Sequence, residues 1–224
     1  MRRLPGNAYM ISILLTDDHA LVRTGIRRLL EDSQQVKIVG EAESGEESLK
    51  LAQELDPDII LMDVNMPGIG GVEACRRILH RNPKQKIIVL TVHSAQTFPK
   101  RMLEIGAKGY LTKECDIDEI ITAIKQVHNG GAYIAPSIAQ QLALSLLPGS
   151  DFCPIDKLSR REFQVMLMIS HGLTNAEISD KLCLSPKTIS TYRLRLLEKL
   201  DAQNEVDLIK IAVEQGMVEF ASMN

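Results

Sequence analysis

The stretch Ile59-Ile60-Leu61-Met62-Asp63-Val64-Asn65-Met66-Pro67-Gly68 decides the architecture. Four apolar residues in a row, closed at once by an aspartate, read as a strand of a parallel sheet that delivers a carboxylate at its carboxyl end. Similar runs occupy residues 11–15, 36–39, 87–90 and 109–111. Between them the apolar spacing turns helical, as in Val22, Ile26, Leu29 and Leu30, and later in Ile117, Ile120, Ile121 and Ile124. The first 110 or so residues therefore read as α/β, five β/α units wound as a (βα)5 doubly wound parallel sheet.

Polar residues follow four of the five runs: Asp17 and Asp18 after the first, Asp63 after the third, Thr91 after the fourth, and Thr112 and Lys113 after the fifth. In an open parallel sheet the strand carboxyl ends share one edge, and ligands bind there where the strand order reverses. Three carboxylates brought together repel one another, and a hard divalent cation such as Mg²⁺ is the usual remedy. Lys113 adds a compact positive charge and Thr91 a hydroxyl. A phosphoryl group needs this set, with charge neutralised on its oxygens and a carboxylate nucleophile in line.

With 26 basic and 29 acidic residues the net charge is −3, which excludes a wholly basic, histone-like protein. At 45% hydrophobic and 25% charged, the 224 residues suit one large or two small globular domains rather than a disordered chain. No apolar run reaches the roughly 18 residues needed to cross a bilayer, and no secretory segment is visible, so the expected location is cytoplasmic. Cys75, Cys115, Cys153 and Cys183 show no C-x-x-C spacing and are expected to be reduced. The five histidines show no ligand spacing among themselves, and surface or packing roles are expected for each.

After Asn129-Gly130-Gly131 the rhythm changes. Residues 131–154 read as a linker carrying one short helix over residues 138–147, which runs into Pro148-Gly149-Ser150. From Leu158 onward the chain reads as about four helices. Ser159-Arg160-Arg161-Glu162 and Thr174-Asn175-Ala176-Glu177 fit the capping box, and Ser185-Pro186 gives an N-cap followed by proline. Residues 154–224 hold nine basic and ten acidic residues, but five of the basic ones lie between Lys181 and Lys199 against Glu198 alone. A helix, a tight turn at Cys183-Leu184 and a capped second helix form a helix-turn-helix, whose second member enters the major groove. On that member Ile189, Leu196 and Leu200 form a buried stripe, with Lys187, Ser190, Thr191 and Leu194 opposite and Arg195 on the flank. Such a face either reads double-stranded DNA or is the solvated side of a bundle helix; the adjoining turn favours DNA.

These residues resemble a two-component response regulator. Asp17-Asp18, the stretch from Asp63 to Gly68, Thr91 and Lys113 match the receiver pattern over residues 10–130, a flavodoxin-like fold. Leu158-Ser159-Arg160-Arg161-Glu162, Gly172-Leu173-Thr174-Asn175-Ala176-Glu177-Ile178 and Ser185-Pro186-Lys187-Thr188-Ile189 are similar to the LuxR-type helix-turn-helix over residues 155–224. The combination is that of the NarL/FixJ family, and the Ser190–Arg195 and Asp17–Arg23 stretches look most like its GacA/UvrY group.

The resemblance implies that a sensor histidine kinase phosphorylates Asp63. It implies Mg²⁺ on Asp18, Asp63 and the carbonyl of Asn65, with Asp17 acting through water. Lys113 and Thr91 then hold the phosphoryl oxygens, and Tyr110 stands at the aromatic switch position, where a plain core role is equally open. DNA contacts are expected from Lys187, Thr188, Ser190, Thr191, Arg193 and Arg195. Arg193 falls on the buried-stripe angle, with its stem packed and its head reaching to phosphate. A homodimer is expected after phosphorylation through Val206, Ile209 and Val213, unless these are simple core. The unphosphorylated receiver is expected to cover the recognition helix. Val92-His93 departs from the small residues frequent beside Thr91 in the family, and Met10 is the expected natural start.

Two other classes compete. An aspartyl-phosphate phosphatase needs a second aspartate two residues after the nucleophile, where this chain has Asn65, so an enzyme is not expected. A phosphoryl sink without output is opposed by the helix-turn-helix residues.

Overall fold

The computed structural model describes residues 10–91, 97–145 and 154–218. Among them, β1 (Ile11–Thr16), β2 (Val36–Ala42), β3 (Ile59–Met62), β4 (Lys86–Thr91), β5 (Gly109–Thr112) and β6 (Tyr133–Ile134) form one parallel sheet in the order β2-β1-β3-β4-β5-β6. All four residues of β3 are buried, as a central parallel strand requires. Five helices flank it: α1 (Ala20–Asp32), α2 (Gly45–Leu55), α3 (Gly70–Arg81), α4 (Thr97–Ile105) and α5 (Ile117–His128). α1 packs beside α5, and α3 lies between α2 and α4. The strand order reverses at β1, whose neighbours are β2 and β3, so the crevice lies above the carboxyl ends of β1 and β3.

The expected five strands are one short, and the expected linker starts inside the sheet. Tyr133 N–H donates to Lys108 O at 2.9 Å and Ala135 N–H to Tyr110 O at 3.0 Å, which pairs β6 with β5. A strand of two residues between Gly131 and Pro136 leaves no periodicity to read. The helix that follows, α6 (Pro136–Ser145), buries Ile138 and packs near α4. Met1 to Tyr9, Val92, His93, Leu146 to Ser150 and Cys153 lie outside the described residues; Cys75, Cys115 and Cys183 are free thiols.

The second part consists of a 3₁₀ turn (Pro154–Lys157) and four helices, α7 (Arg160–Ser170), α8 (Asn175–Leu182), α9 (Pro186–Leu200) and α10 (Glu205–Glu214). Both capping boxes form: Ser159 with Glu162 opens α7 and Thr174 with Glu177 opens α8. Ser185 accepts from Thr188 N–H at the start of α9, with Pro186 at its first position. Cys183 turns the chain between α8 and α9 in the left-handed region, φ 54°.

The two parts touch. The Arg101 guanidinium on α4 donates to Ile155 O at 2.7 Å and to Leu158 O at 2.9 Å, and lies 4.2 Å from the Phe163 ring centre. Phe98 meets the same ring edge-on at 5.7 Å. Lys181 on α8 pairs with Glu46 on α2 at 2.8 Å. These contacts engage α7 and α8, whereas Leu194 on the outer face of α9 is 61% exposed. The expectation that the recognition helix is covered is thereby corrected: α7 offers the aromatic surface that docks, and the polar face of α9 stays open.

Candidate functional site

Asp63 follows β3 with its side chain 2% exposed, and Lys113, one residue past β5, donates to Asp63 Oδ2 at 2.7 Å. The same ammonium stands 2.6 Å from Asp17 Oδ2, beyond the end of β1. Sheet topology alone brings together residues 17, 63 and 113. Burial, reinforced by Asp17 and only partly offset by Lys113, pushes the Asp63 carboxyl up to about 6. For Lys113 burial acts to lower the pKa, but the two carboxylates outweigh it and hold the ammonium charged. Asp63 Oδ1 also accepts from Asn65 N–H at 3.0 Å, a local turn that fixes the carboxylate.

Thr91 is buried at the end of β4, and its carbonyl accepts from Lys113 N–H at 2.7 Å, tying the ends of β4 and β5 together. Tyr110 is fully buried in β5, with its hydroxyl unbonded among the described residues. Burial first, then the nearby Asp63 charge, drives its phenol pKa upward. Asn65 lies beside the pocket with both side-chain polar atoms unpartnered.

Three further residues, His19, Arg23 and Gly71, shape the site. His19 stands just before α1, where its side chain makes no capping bond, and joins Asp17, Asp18 and Asp63 in a cluster whose ligand atoms lie within 4.8 Å of one another. Its side chain is about half exposed, at the mouth of the pocket. Arg23 is 7% exposed and donates to Asp17 O at 2.6 Å, to Glu41 at 3.0 Å and to Glu43 at 2.6 Å, bracing the acidic loop. Gly71 lets α3 approach the strand end so closely that a Cβ there would overlap the carbonyl oxygen of Asp63. An arginine five residues after Asp18 and the third glycine after Asp63 are the sequence cues.

The donor set fits a hard divalent cation. Its oxygens come from three carboxylates, and Asp18 Oδ1, although 2.9 Å from His19 Nδ1, has no hydrogen-bond partner.

In the helix-turn-helix, Lys187, Ser190, Thr191, Leu194 and Arg195 are exposed on one side of α9, opposite buried Ile189, Leu196 and Leu200. The Ser190 and Thr191 hydroxyls donate back to Pro186 O and Lys187 O, which leaves their oxygens able to accept. Thr188 is half-buried against Ser185. Arg193 departs from expectation: its head is turned to α10, where both terminal nitrogens bind Glu205 at 2.7 and 3.2 Å. Val206 is 60% exposed and Ile209 and Val213 are half-buried, while Leu208 and Ala212 face the core. Val213, with Ile211, packs against the core, so of the three expected positions Val206 is the exposed one.

Comparison with known proteins matches residues 13–125 to the response regulator receiver domain and residues 156–212 to the bacterial regulatory proteins of the luxR family. The chain is 52% identical to the response regulator GacA of Pseudomonas aeruginosa, over 95% of this chain and all of that one. It is 47% identical to the response regulator UvrY of Escherichia coli, over 93% and 96%. A solved structure of RcsB from Salmonella enterica, bound to a promoter in the presence of a phosphomimetic, is 25% identical, with TM-score 0.72, and covers 91% of this chain and 98% of that one. The chain therefore belongs to the response regulators that join a receiver domain to a luxR-family helix-turn-helix domain, alongside GacA and UvrY.

Proposed function

We propose that this protein is a DNA-binding transcription regulator switched by phosphorylation of Asp63, and that it is not an enzyme. One observation carries the reading: the buried Asp63 carboxylate, held by Lys113 beside Asp17, sits in a chain whose second part presents the open polar face of α9. The phosphoryl donor is a sensor histidine kinase. An Asp63 oxygen attacks phosphorus in line, and the bond to the kinase histidine breaks. Asp17, Asp18, Asp63 and the Asn65 carbonyl would hold Mg²⁺, which neutralises charge on the carboxylates and phosphoryl oxygens when bound. Lys113 pairs with a phosphoryl oxygen, and the Thr91 hydroxyl moves to donate to another. Tyr110, on β5 three residues before Lys113, follows that shift, so that a two-state receiver changes population.

The receiver domain runs from residue 10 through β6, the connecting segment follows it to about residue 154, and the DNA-binding domain spans 155–224. Lys187, Thr188, Ser190 and Thr191 contact base edges or backbone, and Arg195 contacts phosphate. Arg193 joins them only by leaving Glu205. Two phosphorylated chains pair through Val206, Ile209 and Val213 on promoter DNA, as a cytoplasmic protein would. The promoter-bound RcsB supports this reading by its overall similarity.

The test is binding to a fluorescent promoter fragment by wild type and Asp63→Ala, each with Mg²⁺ and a small acyl-phosphate donor. Tightening by the donor only when Asp63 is present is the expected result. Equal affinity with and without donor in wild type overturns the switch.

A further inference from the structure

Between α3 and α4 on one side and the 3₁₀ turn and α7 on the other lies a cavity of about 260 Å³ that neither the acidic pocket nor α9 uses. Ile69, Val72, Ile105, Leu158, Phe163 and Leu167 line it with apolar surface. Gln164 lines it as well and is 7% exposed. Its Oε1 accepts from Arg161 at 2.7 Å, which fixes the amide orientation, and its Nε2 has no hydrogen-bond partner. An unmet buried donor is costly, and one set in a preformed apolar cavity is the kind of group that orients a small ligand.

Charge at the cavity narrows the ligand class. Glu73 is already neutralised by Arg76 at 2.6 Å and Arg77 at 2.7 Å. Of the remaining lining residues Lys100, Arg101 and Arg160 are cationic and Glu104 and Asp156 anionic, which leaves a positive balance. Lys100 and Arg160 are exposed and form no ion pair among the described residues.

We propose that this cleft between the two domains binds a small amphipathic carboxylate, an aryl or branched acid. Its hydrocarbon lies against Phe163 and Leu167, and its carboxylate accepts from the Gln164 amide within reach of Lys100 and Arg160. Because the walls belong to different domains, the ligand binds only while α4 faces α7 and stabilises that arrangement by linkage.

Titration calorimetry of the full chain with 2-naphthoate tests the site, and circular dichroism checks that each variant is folded. Wild type is expected to show one saturable site. Gln164→Leu and Arg160→Glu are each expected to bind at least tenfold more weakly, as is the neutral congener 2-naphthalenemethanol with wild type. Absence of saturable binding by wild type, or equal affinity in both variants, overturns the site; equal affinity of the neutral congener overturns the carboxylate assignment. A further arm adds Mg²⁺ and beryllofluoride and rests on the proposed phosphorylation switch. A several-fold loss of naphthoate affinity supports coupling, and unchanged affinity overturns the coupling while the site stands.

Discussion

Glu46 and Lys181, 135 positions apart, form a 2.8 Å ion pair that joins α2 of the receiver to α8 of the helix-turn-helix. The other oxygen of Glu46 accepts from Ile69 N–H at 3.4 Å, in the turn that leads from Asp63 into α3. Burial acts to raise the Glu46 pKa, but Lys181 and backbone amides outweigh it and hold the carboxyl below its ordinary value. The contact is therefore present above that range and is lost as pH falls through it. As a half-exposed pair it contributes roughly 1 kcal/mol or less. Glu46→Lys should enlarge the average separation of the domains, read as a larger radius of gyration by small-angle X-ray scattering. Exchange of both charges, Glu46→Lys with Lys181→Glu, should reverse the change. Identical scattering by the single variant and wild type would remove the pair from the account.

Without metal, the raised Asp63 pKa makes the folded state bind more protons than the unfolded chain between the ordinary aspartate value of 3.8 and about 6. Stability from this group is thus greatest at low pH and is lost as pH rises through 6. In chelator, Asp63→Asn should raise stability at pH 8 by roughly 1 to 2 kcal/mol, with the gain shrinking towards pH 4. Thermal melts at both pH values check the sign.

Gly71→Ala places a methyl group against the Asp63 backbone, where only the strand itself could yield. A loss of at least about 2 kcal/mol is expected, with slower phosphorylation because the displaced atoms carry Asp63. Denaturant titration together with phosphoryl incorporation checks both; wild-type stability would show that α3 can retreat freely.

Arginines on α9 should separate by salt dependence. Arg195 is exposed on the open face, so Arg195→Ala should lower DNA affinity and flatten the log–log salt slope by about 1. Arg193 is held by Glu205, so Arg193→Met should chiefly lower the melting temperature and leave the slope unchanged. Fluorescence anisotropy at four salt concentrations distinguishes the two; a flattened slope in Arg193→Met would mean that its head leaves α10 on DNA.

Sequence periodicity and chemistry made the acidic edge legible because the sheet converts strand ends into neighbours: residues 17, 63, 91 and 113 each follow or close an apolar run. Caps at Ser159, Thr174 and Ser185 were readable because they act within four residues. Contacts across long separations were not. Arg101 on the Ile155 carbonyl, Glu46 with Lys181, and the turning of Arg193 to Glu205 depend on how helices from different segments meet. No local rule encodes that meeting. Tyr133–Ile134 escaped notice for the opposite reason, being too short to show a period.

The stitching of Tyr133 and Ala135 to β5 sets the length of the leash between the domains. Nine positions of sequence separate the end of α6 at Ser145 from the 3₁₀ turn at Pro154. A released helix-turn-helix domain therefore still meets its receiver at an effective concentration on the order of millimolar. At that concentration a docking face built from one guanidinium clamp, one aromatic pair and one ion pair suffices to close the molecule. A modest change at the acidic edge is then enough to shift the balance.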